Sequence, residues 1–213
     1  MKKYSIDIPS LSSETVIIAA GDYPETTLPL QILNNARYVQ CCDGALATSI
    51  EHGIIPDAIV GDGDSMPPRL REKYVDRITI ISEQEDNDLT KNVKYAISRG
   101  SRHLTILAAT GKREDHTLGN ISLLMDYMHE ADVKMITDYG VFFPCSGDAE
   151  FSAHRGQQVS IFNFGCTRLS ASGLAYPLRP FTSLWQGTLN EMTADTFSIR
   201  ADGHYLVYIC TII

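Results

Sequence analysis

The chain has 213 residues, 44% hydrophobic and 21% charged, which is enough apolar material for one large or two small domains and excludes wholesale disorder. Its 18 Lys+Arg against 26 Asp+Glu give a formal net charge of −8, which excludes a broad nucleic-acid footprint but not a small phosphorylated ligand carried by a metal ion. Five cysteines, an odd number with no CxxC pair, argue against a disulfide framework or zinc knuckle, and no apolar run has the length of a signal h-region or a membrane span, so the expectation is a soluble, cytoplasmic protein.

In chain order, runs rich in Val and Ile predict strands at residues 15–20, 38–42, 58–61, 78–82, 104–108 and 133–137. They are mostly apolar on both sides, as buried parallel strands require. Helical spacing lies between them. Leu89, Val93, Ala96 and Ile97 make one stripe, and Leu118, Ile121, Met125 and Met128 make another. The alternation predicts an α/β fold, with an N-terminal open, mainly parallel sheet and flanking helices over residues 1–138. From Tyr139 the helical period disappears. Short runs at 159–164, 197–200 and 205–213, separated by Gly, Pro, Ser and Asp, predict a smaller all-β sandwich domain over residues 139–213.

Chemistry-bearing residues gather where the predicted strands end. The stretch Pro56-Asp57-Ala58-Ile59-Val60-Gly61-Asp62-Gly63-Asp64-Ser65 runs from a buried strand into two carboxylates. In extended chain the i, i+2 spacing sets Asp62 and Asp64 on one side, about 6.5–7 Å apart at Cα. Mg²⁺ needs such an arrangement, with one or two carboxylates and the remaining positions filled by water and substrate phosphates. A Gly/Asp turn that merely stops a strand would read the same way. Cys42-Asp43-Gly44 repeats the pattern after the second strand, where Asp43 also reads as a helix N-cap. The acidic run Glu83-Gln84-Glu85-Asp86-Asn87-Asp88 follows the fourth strand, and either Asn87 or Asp88 can cap the helix beyond it. The fifth strand leads into Thr110-Gly111-Lys112-Arg113-Glu114-Asp115-His116, basic side chains at a helix N-terminus that favours anions. This is no P-loop, since Ile106 stands where the first glycine belongs and Arg113 follows Lys112 in place of Ser or Thr. His116 reads equally as a capping or a catalytic residue. Open α/β sheets bind ligands beyond the carboxyl ends of their strands. Four strand ends carrying acids and bases to one edge therefore point to metal-assisted phosphoryl chemistry.

The series Asp43-Gly44, Pro56-Asp57…Gly61-Asp62-x-Asp64-Ser65, Gln84…Asp88-x-Thr90-Lys91 and Gly111-x-Arg113-x-Asp115-His116…Asn120 resembles the thiamine pyrophosphokinase family in order and spacing. The likeness is strong over residues 14–130 and looser beyond. It implies an N-terminal α/β domain that binds ATP and Mg²⁺, a C-terminal β-sandwich that binds thiamine and dimerises, and a homodimer with active sites between subunits. The implied reaction moves a pyrophosphoryl group from ATP to the thiamine hydroxyl and leaves AMP. By the resemblance, Asp43, Asp62, Asp64 and Asp88 hold Mg²⁺ and polyphosphate, with Gly44 and Ser65 beside them. Gln84, Thr90, Lys91, Gly111, Arg113, Asp115 and His116 line the nucleotide and transfer site, and Trp185, Thr188 and Asn190 face thiamine. Trp185 can stack on a heteroaromatic ring, but a single tryptophan in a sandwich is more often a core residue. Two positions depart from the family pattern: Gly63 replaces a bulky apolar residue, and Leu189 stands where Ser usually precedes Asn. A nucleotide-binding sensor without turnover and a hydrolase of nucleoside or thiamine phosphates are the competing readings.

Overall fold

The computed structural model describes residues 1–212. Two compact units emerge: Ser12–Asp138, and Met1–Leu11 together with the chain from Tyr139 onward. The expectation had residues 1–138 in one unit. The first eleven belong instead with the C-terminal part, because β1 (Lys2–Ser5), followed by the single turn α1 (Ile8–Leu11), pairs in parallel with a strand at Ala149–Ser152.

The unit Ser12–Asp138 alternates strand and helix. Its elements are β2 (Thr15–Ile18), α2 (Thr27–Asn34), β3 (Val39–Cys42), α3 (Leu46–Glu51), β4 (Ala58–Gly61), α4 (Pro68–Lys73), β5 (Ile78–Ile80), α5 (Asp88–Ser98), β6 (His103–Leu107), α6 (Glu114–Tyr127) and β7 (Asp132–Ile136). The six strands are parallel in the order β7-β6-β2-β3-β4-β5. β2, β3 and β4 are buried at every position, as their apolar character on both sides requires. Successive strands run outward from β2 to β5, and the chain then returns to place β6 on the other side of β2. That reversal makes a topological switch point between β2 and β6. Strand β6 stops at Leu107 because Ala108 takes a left-handed φ of 55°.

Helix α5 is capped by Asn87, whose side chain accepts a hydrogen bond from the Thr90 amide at 2.8 Å. It buries Leu89, Val93 and Ala96 as its spacing predicts. Helix α6 departs from expectation. Its buried residues are Leu124, Met125 and Tyr127, while Leu118, placed on the apolar stripe by spacing, is 67% exposed. Among the described residues, no helix is long and apolar enough to cross a membrane.

The second unit adds β8 (Gly140–Ser146), β9 (Ala149–Ser152), β10 (Gln158–Phe164), β11 (Leu169–Ser172), β12 (Asn190–Glu191), β13 (Thr196–Ala201) and β14 (His204–Cys210). β1-β9-β13-β11 form one sheet, and β12-β10-β14-β8 pair antiparallel in another. The strand expected at 205–213 is β14; Ile213 lies outside the described residues. An aromatic core joins the sheets. Phe151 of β9 stacks on Phe197 of β13 at 4.7 Å and on Tyr4 of β1 at 4.9 Å, and meets Phe143 of β8 edge-on at 6.2 Å. The fold is thus a mainly parallel α/β sheet with helices, plus a smaller, mostly antiparallel β domain.

Candidate active site

A cavity of about 470 Å³ opens beyond the carboxyl ends of the parallel strands, at the switch point. Each strand from β2 to β6 delivers residues to it. Ala19, Ala20 and Gly21 come after β2, Cys42 and Gly44 at the end of β3, and Asp62 and Ser65 after β4. Gln84 and Asp88 follow β5, and Ala109, Gly111, Lys112, Arg113 and His116 follow β6. The backbone ties the β2 and β6 loops together: the Gly21 amide donates to Ala108 O at 2.6 Å and the Asp22 amide to Thr110 O at 2.9 Å. Gly111 has a φ of 78°, and a Cβ there would lie 2.1 Å from Asp22 Oδ2, so only glycine lets this loop close against its neighbour.

The acids occupy different positions. Asp62 lines the cavity; its Oδ1 accepts from the Asp64 amide at 3.1 Å and its Oδ2 from Gln84 Nε2 at 3.3 Å. These bonds, the Asp64 amide first, hold its carboxyl below the usual range. Asp88 has its pKa raised, first by burial and then by the charge of Asp43, with Lys91 acting in the opposite direction. Lys91 is itself only 3% exposed, with its Nζ 3.5 Å from Asp88 Oδ1 and 4.0 Å from Asp62 Oδ2. One buried ammonium thus sits between two carboxylates at the cavity wall.

Asp43 does not line the cavity. It is fully buried, with Oδ1 accepting from the Gly44 amide at 2.7 Å and Oδ2 from the Gly63 amide at 2.9 Å. Asp64 is exposed, and it is its amide rather than its carboxylate that engages Asp62. The four expected metal ligands therefore do not form a closed shell, and among the described residues no three His, Cys, Asp or Glu side chains form a ready ligand cluster. The donors nevertheless suit Mg²⁺, which takes one or two carboxylates and completes its octahedron with water and phosphate. Asp62 and Asp88 are hard oxygen donors on the cavity wall.

Across the cavity Arg113 and Asp115 form a two-bond pair, Nε to Oδ1 at 3.1 Å and Nη2 to Oδ2 at 2.6 Å. The guanidinium, with the His116 amide, draws Asp115 down to about 2. Arg113 and His116 line the cavity and Asp115 braces Arg113. Thr90, expected at the nucleotide, points elsewhere: it is buried, and its hydroxyl meets Tyr127 OH at 2.6 Å.

In the β unit Trp185 lies on a short 3₁₀ turn (Leu184–Gly187) and is 73% exposed, which decides against the core reading. Thr188 Oγ1 donates to Trp185 O at 2.7 Å. Asn190 is buried and spends its carboxamide on Tyr176, accepting from that residue's amide at 3.0 Å and donating to its carbonyl at 2.8 Å. Its place is structural, holding the loop beside β12. Leu189, at φ 60°, is exposed at the bend.

Comparison with known proteins assigns the family. The model described as "Thiamin pyrophosphokinase, catalytic domain" matches residues 30–137, half of the chain, and "Thiamin pyrophosphokinase, substrate-binding domain" matches residues 140–208. The chain belongs to the thiamin pyrophosphokinase family. It is 31% identical over 166 residues to thiamine pyrophosphokinase 1 of Oryza sativa subsp. japonica, covering 69% of this chain and 63% of that protein. It is 34% identical over 86 residues to the thiamine pyrophosphokinase of Bacillus subtilis (strain 168), covering 38% of this chain and 40% of that protein. The matched stretches thus span less than two thirds of either relative. The thiamin pyrophosphokinase structure from Candida albicans superposes with a TM-score of 0.77 at 18% identity over 98% of this chain and 92% of that one, a likeness of fold.

For this thiamin pyrophosphokinase family member, the wall residue Gly21 escaped the sequence reading, whereas Lys112 and Asn120 lie in stretches that reading singled out and gain their contacts only in the structure. Gly21 was legible in principle, since Gly21-Asp22 follows an apolar strand just as Asp43-Gly44 does. Lys112 reaches the wall only because its φ of 54° turns the loop and its Nζ donates to Ala20 O at 2.8 Å. Asn120 donates to Ala109 O at 2.8 Å and accepts from Asn87 Nδ2 at 3.3 Å, pinning the loop after β6 to the start of α5.

Proposed function

We propose that the chain transfers the pyrophosphoryl group of Mg·ATP to the hydroxyl of thiamine, giving thiamine diphosphate and AMP. The observation that carries this is the cavity at the switch point, where the acids Asp62 and Asp88, the buried Lys91 and the cation Arg113 converge in a chain of this family. Asp62 and Asp88 would hold Mg²⁺, which would supply charge neutralisation for the phosphates. Lys91 and Arg113 neutralise the remaining phosphate charge, and the amides at the start of α6 add a helix N-terminus beside it. Gly44, Ser65 and Gly111 keep the wall low enough for polyphosphate to lie against backbone. Gln84 holds Asp62 in position.

Such transfers depend on positioning and electrostatic stabilisation more than on covalent help from the protein. Asp115 is committed to Arg113, so His116, in its neutral form, is the wall residue left to accept the thiamine hydroxyl proton. Trp185, exposed in the substrate-binding domain, stacks on a thiamine ring, with Thr188 beside it. A homodimer with active sites between its subunits completes the reading, as the family resemblance implies, and a cytoplasmic supply of ATP suits five cysteines that form no disulfide among the described residues. The direct test is to incubate the protein with Mg·ATP and thiamine and separate the products. AMP appearing one-for-one with thiamine diphosphate supports the reading. Nucleotide loss without thiamine would make the protein a hydrolase, and binding without turnover would make it a sensor.

A further inference from the structure

Asn92 is fully buried, four residues into α5 beyond Asp88, and its carboxamide reaches three elements. Its Nδ2 donates to Val60 O on β4 at 2.8 Å and to Asp88 O in the first turn of α5 at 2.8 Å. Its Oδ1 accepts from Gln40 Nε2 on β3 at 2.8 Å, and the same Nε2 donates to the Asn92 backbone carbonyl at 2.7 Å. Gln40 is also fully buried, and its own Oε1 has no hydrogen-bond partner.

Two carboxamides in an apolar interior are costly, the more so when one oxygen is left unsatisfied. Leu89 and Val93, beside Asn92 on α5, are buried and apolar, so packing alone would favour hydrocarbon here. What the amides add is fixed geometry. An apolar helix face can slide on a sheet, whereas hydrogen bonds to named carbonyls fix its register. The tied points lie next to the working residues: Gln40 is three residues before Asp43, Val60 two before Asp62, and the carbonyl bonded in α5 is that of Asp88 itself.

We propose that the Asn92 carboxamide, held by Gln40, is a positioning element that fixes the first turn of α5, with Asp88 and Lys91, against the strand ends carrying Asp43 and Asp62. This rests on reading the cavity as a cation–nucleotide site. Asn92 touches neither substrate nor cation and acts through the carboxylates. Removing such supporting partners typically costs roughly 10–100-fold in metal affinity or activity.

The experiment titrates the intact protein with Mn²⁺ in the presence of ATP, following free Mn²⁺ by electron paramagnetic resonance, with the melting temperature measured in parallel. Asn92→Leu, Gln40→Met and the double variant are compared with wild type. Asn92→Leu is expected to weaken Mn²⁺·ATP binding roughly 10–100-fold and Gln40→Met by less. The double variant should lose no more than Asn92→Leu, because Gln40 acts through Asn92. Turnover of both single variants should recover at high Mg²⁺ with an unaltered KM for thiamine. A folded Asn92→Leu that binds Mn²⁺·ATP like wild type, whatever its melting temperature, overturns the proposal. Should Asn92→Leu not fold, unchanged binding by Gln40→Met overturns it equally. Wild-type protein that binds Mn²⁺·ATP but makes no thiamine diphosphate would overturn the activity instead, since the titration is read without turnover. Wild-type protein that binds none overturns both.

Discussion

The carboxyl group of Asp43 fills the space beside Gly61 that any side chain there would need: a Cβ on Gly61 would fall 2.3 Å from Asp43 Cγ. The acid at the end of β3 thus packs against the last residue of β4 and, through the Gly63 amide, holds the loop that carries Asp62 and Asp64. Gly61→Ala should therefore cost about 1–3 kcal/mol as overpacking, lower the melting temperature by several degrees and reduce turnover. A Gly61→Ala protein with wild-type melting and wild-type rate would show that Asp43 is not held there.

Lys91 lies within 4.0 Å of two carboxylates and is nearly sealed from solvent. Lys91→Met removes that charge while keeping the stem, and turnover should fall roughly 10²–10³-fold, the scale seen when one preorganised stabilising group is deleted. Lys91→Arg should not restore it, because a planar guanidinium does not fit a pocket shaped for a compact ammonium. Rates within threefold of wild type in Lys91→Met would remove Lys91 from the phosphate site.

Asp115 and His116 are adjacent in sequence but are given different work. With Asp115 drawn down to about 2 by Arg113, it is a poor proton acceptor near neutral pH. Asp115→Asn should lower turnover modestly, through a less ordered Arg113. His116→Ala should lose about 10²-fold or more as a missing general base. Steady-state kinetics of the two variants decide this, and the reverse ranking would exchange the roles.

Asp202 shows how pH acts on the β unit. Its carboxylate accepts from Thr167 Oγ1 at 2.6 Å and from the Thr167 and Arg168 amides at 2.9 Å each. These bonds, the Thr167 hydroxyl first, hold its pKa well below the ordinary 3.8. A depressed carboxylate contributes stability that is fully present above the unfolded value and is lost as pH falls through the lower folded value. Asp202→Asn should therefore melt below wild type near neutral pH, and the two curves should converge well below about pH 4. A gap that widens in acid would contradict the assignment.

The parallel sheet was legible because its strands are buried on both faces and write themselves as uninterrupted Val/Ile runs; residues 58–61 coincide with β4. The placement of Lys2–Ser5 was not, since it depends on a partner at Ala149–Ser152 far along the chain and on no local pattern. Spacing placed Leu118 on a buried stripe, but the burial of α6 is carried by its last turn. The carboxylate motifs located the cavity, yet sequence cannot say which way a side chain turns. Thr90 faces Tyr127, Asn190 faces Tyr176, and Asp43 lies beneath the loop it was expected to share with a metal. Asn92 carried no sequence signal at all, because an Asn on a buried helix face declares its role only once its partners are seen.

Pyrophosphoryl transfer requires the thiamine hydroxyl to attack the β-phosphorus of ATP, and ATP labelled on that phosphorus reports where it goes. With Mg²⁺ and thiamine present, the label is expected in thiamine diphosphate, on the phosphorus joined to the thiamine oxygen, with unlabelled AMP released. Label retained in ADP, with thiamine monophosphate as the other product, would contradict it.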